Sequence, residues 1–228
     1  MIGQTQKPIE EILEYLENKE KIVVYGCGGC ATTFHTGGEP EVEEMAKVLS
    51  ENGKEVLAAI ALPFGKVACY APMSKARLRR YHEEIEECDA ILVLSCGDGL
   101  QVVREIVDEE FDHPKPIYPG TNPIGQMGGG PTLFKEKCQQ CGECELGRLA
   151  GICPLTQCPK GFLNGPCGGT TKDGMCEVDP ERKCAWVMIY ERLEALGELN
   201  KLMEIREPKD WSKMERPRQI EVAPLSLA

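Results

Sequence analysis

The sequence predicts an α/β protein, in which a Rossmann-like parallel-sheet domain is followed by a small cysteine-rich metal-binding module. Two observations support this prediction. Segments typical of strands and helices alternate along the first half of the chain, which favours right-handed crossovers and a parallel sheet covered on both faces. Between Lys137 and Cys184, eight cysteines replace that alternation. So little periodicity remains there that bound metal must stand in for a conventional core.

The predicted elements follow one another with short connections. An amphipathic helix is predicted from Pro8 to Asn18, because apolar residues recur there at helical spacing. Alternating strands and helices are predicted after it at Lys21–Tyr25, Glu39–Asn52, Glu55–Leu62, Ser74–Glu87, Ala90–Ser95, Leu100–Glu109 and Lys115–Tyr118. The glycines and prolines between Pro119 and Pro131 predict a linker. The predicted organisation is therefore a Rossmann-like domain over 1–125, a cysteine-rich module over 126–206 and an extended tail over 207–228.

Charge and composition argue against several classes of function. The formal net charge is −11, and the basic residues are scattered, so nucleic acid is not an expected partner. The longest apolar run, around Ala58–Leu62, is too short to span a bilayer, and the N-terminus lacks the apolar region of a signal peptide. We therefore expect a soluble, cytoplasmic protein. The cytoplasm keeps thiols reduced, so thirteen cysteines indicate metal binding or redox chemistry rather than disulfides.

The densest cysteine pattern is Cys138-x2-Cys141-x2-Cys144, which is followed by Cys153-Pro and Cys158-Pro. Three cysteines two residues apart with a later Cys-Pro are typical of loops that bind a [4Fe–4S] cluster. A zinc knuckle usually has paired Cys-x2-Cys hairpins instead. The spacing leaves open whether Cys153 or Cys158 completes this set.

A second set follows at Cys167, Cys176 and Cys184, among glycine-rich turns that let the backbone fold closely around an ion. Together with Cys158 they form a second tetrad. It suits another [4Fe–4S] cluster or a closed zinc site with four thiolate ligands. The spacing does not choose between iron and zinc.

A third set is dispersed along the predicted sheet, with Cys27 and Cys30 after the first strand, Cys69 after the second and Cys96 after the third. In an open parallel sheet, the carboxyl ends of neighbouring strands form one crevice that binds ligands. We therefore expect these thiols to converge on a cluster. Incidental cysteines in a packed core are the plain alternative. Cys88 is expected to be an inert buried thiol.

The loop Gly26–Ala31 also matches the dinucleotide fingerprint G-x-G-x-x-G/A. However, the acid that would bind a ribose is missing at Ala61-Leu62-Pro63. The next helix is predicted to begin only after Gly38, too far along the chain to present its N-terminus to a pyrophosphate. A cluster is therefore favoured over a nucleotide here.

The most specific block is the run from Cys158 to Gly169, Cys-Pro-Lys-Gly-Phe-Leu-Asn-Gly-Pro-Cys-Gly-Gly, followed by Gly-Met-Cys176-Glu-Val and Cys184-Ala-Trp186. With it, the chain resembles the small cysteine-rich subunit of the two-subunit methylenetetrahydrofolate reductase of anaerobic bacteria, and the related C-terminal domain found beside some such reductases. The resemblance is close in the second module. It extends to the Cys27–Cys30 region with less specific motifs.

The resemblance implies an oxidoreductase complex of one-carbon metabolism and acetogenesis. In it, a TIM-barrel partner binds FMN and reduces 5,10-methylenetetrahydrofolate to 5-methyltetrahydrofolate. This chain would be the non-catalytic subunit that supplies electrons from ferredoxin or another low-potential redox carrier. The implied ligands of the first cluster are Cys27, Cys30, Cys69 and Cys96. Those of the second cluster are Cys138, Cys141, Cys144 and Cys153. Those of a zinc ion or third cluster are Cys158, Cys167, Cys176 and Cys184.

Two rival hypotheses remain at this stage. In one, zinc ions staple a structural scaffold that binds a catalytic subunit without passing electrons. In the other, the chain is a nucleotide-dependent oxidoreductase that uses the Gly26–Ala31 loop. A zinc-ribbon nucleic-acid protein is disfavoured by the acidic balance.

Overall fold

The chain folds into two compact units, Met1–Lys135 and Glu136–Ala228, each with a hydrophobic core of its own. The structure is a computed structural model that describes residues 1–130 and 133–217. The last part of the predicted tail, residues 218–228, lies outside the described residues.

The first unit contains the predicted alternation of strands and helices. Its strands are β1 (Ile2–Gln6), β2 (Lys21–Gly26), β3 (Glu55–Ala61), β4 (Ala90–Leu94), β5 (Ile117–Pro119) and β6 (Thr121–Gln126). Its helices are α1 (Ile9–Tyr15), α2 (Cys30–Thr33), α3 (Glu39–Glu51), α4 (Ala71–Leu78), α5 (His82–Glu87) and α6 (Gly97–Glu110).

A four-stranded parallel sheet forms the centre of this unit, with the strand order β3-β2-β4-β5. Successive residues of β2 face opposite sides of the sheet, as the period of a strand requires. Val23 and Tyr25 pack in one core with residues of α4, α5 and α6. Ile22 and Val24 pack in the other core with residues of α1 and α3. The predicted α/β fold, with a parallel sheet covered on both faces, is therefore confirmed.

A separate two-stranded antiparallel ribbon pairs β1 with β6, and the sequence did not predict it. The whole of β6 lies in the breaker cluster Pro119–Pro131 that predicted a linker, of which Pro131 is outside the described residues. Pairing of Gly3 with Gly125, on strands far apart in the chain, supplies backbone hydrogen bonds that local propensity does not reveal. Phe134 covers Gly3, where an added Cβ would lie 2.8 Å from the ring.

The helix predicted over Ser74–Glu87 is interrupted. The structure places a 3-10 turn at Arg79–Tyr81, between α4 and α5. Leu78 and Ile85 remain buried in the same core on either side of the turn. Their spacing of seven residues keeps a helical period in the sequence across the break.

The second unit has few regular elements. They are α7 (Pro154–Gln157), α8 (Ala185–Ala195) and 3-10 turns at Leu199–Met203 and Trp211–Met214. Its buried core is small and comprises Leu149, Cys184, Trp186, Ile189 and Leu193. The part of the chain that holds the eight clustered cysteines therefore depends little on ordinary hydrophobic packing.

Candidate functional site

Four cysteines of the first unit follow three adjacent strands at the same edge of the sheet. Cys27 and Cys30 follow β2, which lies between β3 and β4. Cys69 is in the loop after β3, and Cys96 directly follows Ser95 at the end of β4. Because parallel strands present their carboxyl ends together, this arrangement is the crevice in which such sheets bind ligands.

Backbone N–H groups point at these thiols. The N–H of Ala68, the neighbour of Cys69, donates to Cys27 Sγ at 3.4 Å. The N–H of Ile2 in β1 donates to Cys30 Sγ at 3.3 Å. The antiparallel ribbon that the sequence did not predict thus contributes one of the donors.

The thiols are close enough to affect one another electrostatically. Partial burial raises the pKa of Cys69, and the nearby Cys96 and Cys27 raise it further. Burial also raises the pKa of Cys96, while the N–H groups of Gly99 and Asp98, at the start of α6, act in the opposite direction. Neighbouring thiolates therefore disfavour ionisation of Cys69 and Cys96, and a bound cation would relieve this repulsion.

Cys88 stands apart from this group. Its thiol is buried and donates to Ile85 O at 3.2 Å. Burial raises the pKa of Cys88 to about 11. This thiol therefore stays protonated and is packed as a small apolar side chain.

The Gly26–Ala31 loop is filled by protein rather than open to a ligand. A Cβ on Gly28 would lie 2.0 Å from Pro63 O, and a Cβ on Gly26 would lie 2.5 Å from Gly37 O. These glycines allow the close approach of neighbouring backbone, so they leave no cradle for a pyrophosphate. The predicted helix after Gly38 is confirmed as α3, which begins at Glu39. A helix of four residues, α2, begins earlier, inside the loop at Cys30, and was not predicted.

The close approach at Gly28 leads to a stability prediction. Gly28→Ala is expected to destabilise the first unit by about 1 to 3 kcal/mol, because the methyl group meets backbone that cannot yield cheaply. Gly97→Ala is the matched control, since an added Cβ there meets nothing within 4 Å. Urea unfolding of the full chain, followed by circular dichroism, measures both variants. Equal midpoints for Gly28→Ala and wild type would contradict the packing described here.

The first cysteine set of the second unit lies on tight turns. Gln140 and Gly142, which separate Cys138, Cys141 and Cys144, have φ values of +55° and +78°. The N–H of Gln140 donates to Cys138 Sγ at 3.3 Å. Left-handed residues reverse the chain within two positions, so successive thiols can face a common centre.

Two hydrogen bonds hold the Cys138 segment against α7. Gln139 Nε2 donates to Leu155 O at 3.2 Å, and Thr156 Oγ1 donates to Lys137 O at 3.4 Å. Cys153 immediately precedes α7. The chain at Cys153 is therefore held beside the chain at Cys138.

The remaining four cysteines line one small cavity of about 10 Å³. They are Cys158, Cys167, Cys176 and Cys184. Thr170 Oγ1 donates to the Cys184 sulfur at 3.3 Å. Burial raises the pKa of Cys184, but the Thr170 hydroxyl and the N–H groups at the start of α8 outweigh it, so the net shift is downward. Space of this size holds about one water-sized atom.

The sulfur atoms of these four cysteines are not at the distances expected of ligands around one ion. Within residues 1–130 and 133–217, no three His, Cys, Asp or Glu side chains are arranged to hold a metal ion. Cys167 instead makes hydrogen bonds with its neighbours, among them Glu177 at 3.5 Å. Side-chain rotation would be needed to bring the sulfurs to the roughly 2.3 Å that zinc requires.

A second, larger cavity of about 920 Å³ lies between α8 and residues 199–211. The cysteines are absent from its described lining. Several of its charges already pair with one another, as Arg148 does with Glu204 at 2.6 Å. The described lining of this cavity therefore offers no thiol, and both of its arginines pair with glutamates.

The end of the described chain folds onto the Cys141–Cys144 turn. The N–H of Asp210 donates to Glu143 Oε2, and Lys213 Nζ lies 3.0 Å from Glu143 Oε1. An added Cβ on Gly142 would lie 2.8 Å from Lys213 O. Part of the segment expected to be extended thus packs as a 3-10 turn over the cysteine loop.

Sequence reasoning missed the polar groups that surround the thiols. Lys160, Glu177 and Thr170 all line the small cavity. Lys160 could have been noticed in the sequence because it lies in the specific block that begins at Cys158. Nothing in the spacing marked Glu177 or Thr170.

Fold and cysteine geometry together define the class of protein: an α/β domain followed by a small domain organised around clustered cysteines. Residues 122–212 match the family described as methylene-tetrahydrofolate reductase C terminal. This match confirms the predicted resemblance over that part of the chain and associates the protein with methylenetetrahydrofolate reductase, an oxidoreductase. No curated protein and no solved structure is similar enough to match the chain. In the described residues, no helix is both long and apolar enough to cross a membrane.

Proposed function

We propose that this chain is the iron–sulfur electron-transfer subunit of a cytoplasmic methylenetetrahydrofolate reductase complex. It would take electrons from ferredoxin or another low-potential donor and pass them to FMN on a TIM-barrel partner. The partner would reduce 5,10-methylenetetrahydrofolate to 5-methyltetrahydrofolate. The observation that supports the proposal is the placement of four cysteines after three adjacent strands, at one edge of the sheet, in a chain that also matches the reductase-associated family.

The donor sets suit this role because each consists of thiols alone, the usual ligands of iron–sulfur clusters. Cys27, Cys30, Cys69 and Cys96 would hold the first cluster. Cys138, Cys141, Cys144 and Cys153 would hold the second. When bound, a [4Fe–4S] cluster accepts and releases single electrons.

The protein itself would orient each cluster and tune its reduction potential. The N–H groups of Ile2 and Ala68 donate to sulfur and so favour the more negative, reduced state. Exposure differs within the first set: Cys27 is buried, whereas Cys69 is exposed. The Cys69 side is therefore the face from which a redox partner would approach.

For the last tetrad we propose a single zinc ion rather than a third cluster. Its four cysteines all line one small cavity, and the left-handed glycines Gly161, Gly168 and Gly174 between them let the backbone fold closely around a single ion. Four thiolates around zinc form a closed structural site. This site would stabilise the second unit and would take no part in electron transfer.

The rival functions make different demands on the chain. A nucleotide-dependent oxidoreductase needs an open Gly26–Ala31 loop, and protein backbone fills that loop. A structural scaffold that is stabilised only by zinc would not need the four cysteines at the carboxyl ends of the strands. Metal content tests the zinc scaffold, and binding of nicotinamide cofactor tests the nucleotide-dependent enzyme.

The proposal predicts the inorganic content of the anaerobically purified chain. About eight irons, eight sulfides and one zinc are expected per chain, with paramagnetic signals of reduced clusters in electron paramagnetic resonance. The dithionite-reduced chain, mixed with its FMN-containing partner, is expected to bleach the flavin absorbance. A colourless chain with zinc alone would support the scaffold. A chain that binds nicotinamide cofactor would support the nucleotide enzyme.

A further inference from the structure

A charged pair lies in the wall of the small cavity formed by the last four cysteines. We infer that Lys160 is a positioning residue for the ion there: it donates a hydrogen bond to the Cys167 sulfur and offsets the negative charge of the thiolates. This inference rests on the proposed zinc site. It adds a residue outside the cysteine tetrad to that site.

The contacts around Cys167 support this role. Lys160 Nζ lies 3.7 Å from Cys167 Sγ, within range of a hydrogen bond to sulfur. The N–H of Gly169 donates to the same sulfur at 3.4 Å. Lys160 also forms an ion pair with Glu177, which fixes the ammonium group beside the sulfur.

The position of Lys160 follows from the local fold. Gly161, next to it, has a φ of +63°, and its N–H donates to Cys158 O at 2.9 Å. This tight turn directs Lys160 back across the cavity towards Cys167, seven residues along the chain. Lys160 is therefore held at both ends, by the turn at its backbone and by Glu177 at its ammonium group.

The Glu177 carboxylate packs against Gly169 and lies beside the Cys167 sulfur. A Cβ on Gly169 would lie 2.1 Å from either carboxylate oxygen, so a larger residue there would push the Glu177 side chain from its present position. Glu177 Oε1 lies 3.5 Å from Cys167 Sγ and can accept a hydrogen bond from the thiol. A metal-bound cysteine is a thiolate that can only accept. Lys160 is the neighbour that can then donate to it.

The charge of the proposed site also supports the role of Lys160. Four thiolates around one divalent cation carry a net charge of −2, and Glu177 adds another negative charge at the wall. Among the described residues that line the cavity, Lys160 is the only cation. Removing it leaves this charge to neutral donors, such as the N–H of Gly169 and the hydroxyl of Thr170, and to solvent. Mutation of a residue that hydrogen-bonds to a metal ligand typically lowers metal affinity 10- to 100-fold.

Zinc transfer from the full, metal-loaded chain to a chromogenic chelator tests the inference. Lys160→Met is expected to lower zinc affinity about 10-fold, and Lys160→Arg to stay near wild type because it keeps the charge. Lys201→Met is the matched control, since Lys201 also pairs with a glutamate, Glu198, but lies outside this cavity. Circular dichroism of the loaded variants checks that they fold.

The outcomes separate the inference from the proposed function. If wild type holds zinc and Lys160→Met releases it no faster, Lys160 has no such role and the zinc site stands. If Lys160→Met and Lys201→Met weaken zinc binding equally, the effect is general and the inference is also overturned. If wild type contains no zinc, the proposed zinc site fails and the inference fails with it.

Discussion

Changing Cys27 to Ala is expected to remove one whole cluster from the chain, about four irons and four sulfides. Cys27 is buried at the end of the central strand β2, and its sulfur lies 3.4 Å from the N–H of Ala68 in the loop that carries Cys69. Iron, sulfide and zinc analysis of the anaerobically purified variant measures the loss.

Cys141→Ala is the companion variant in the second unit and is expected to remove the other cluster. Because the two sets lie in separate compact units, each variant should retain the iron and the paramagnetic signal that the other loses. Cys88→Ala is the matched control for both. Cys88 is buried and bonded to Ile85 O, so this change should leave the full iron content. Unaltered iron in Cys27→Ala or Cys141→Ala would refute that ligand set, and loss of four irons in Cys88→Ala would reassign it.

The central sheet could be predicted because its residues carry their own signals. β2 and β4 are short apolar runs rich in β-branched residues, and α3 has apolar residues at helical spacing, so local pattern and final structure agree. The placement of cysteines after β2, β3 and β4, at one edge of the sheet, followed from the same reasoning. Once strands are parallel and adjacent, whatever follows them is brought to one edge.

The ribbon of β1 and β6 could not be predicted, for a physical reason. β6 contains Pro123 and Gly125, residues that disfavour strands, and it is stabilised by pairing with a strand more than a hundred residues earlier. Such non-local pairing leaves no periodic trace in either segment. The N–H of Ile2 near Cys30 was consequently missed as well.

The polar groups around the last tetrad escaped prediction in a similar way. Lys160 and Glu177 read as ordinary surface charges in the sequence. They meet Cys167 only after the left-handed glycines Gly161 and Gly168 have folded the chain around the cavity. Cysteine spacing reveals the candidate ligands of a metal site in the sequence. The polar residues around those ligands are brought there only by the tertiary structure.

Removing the metals is expected to unfold the second unit while the first unit persists. The buried core of the second unit holds a handful of residues around Trp186 and Ile189, too few to stabilise a domain of this size without metal. The first unit has a core on each face of its sheet. Limited proteolysis after anaerobic chelation should therefore cut after Lys135 and leave a fragment close to Met1–Lys135.

Trp186 reports the same event in solution. Its indole is 7% exposed, and its Nε1–H donates to Phe162 O at 2.9 Å, on the loop between Cys158 and Cys167. When the metal that closes this loop is withdrawn, the indole should become solvated and its fluorescence emission should shift to the red. Trp211→Phe isolates the signal, because Trp211 is the one other tryptophan and is half exposed. If the chelated protein keeps its blue emission and its protease resistance, the hydrophobic core alone maintains the second unit, and metal is not what folds it.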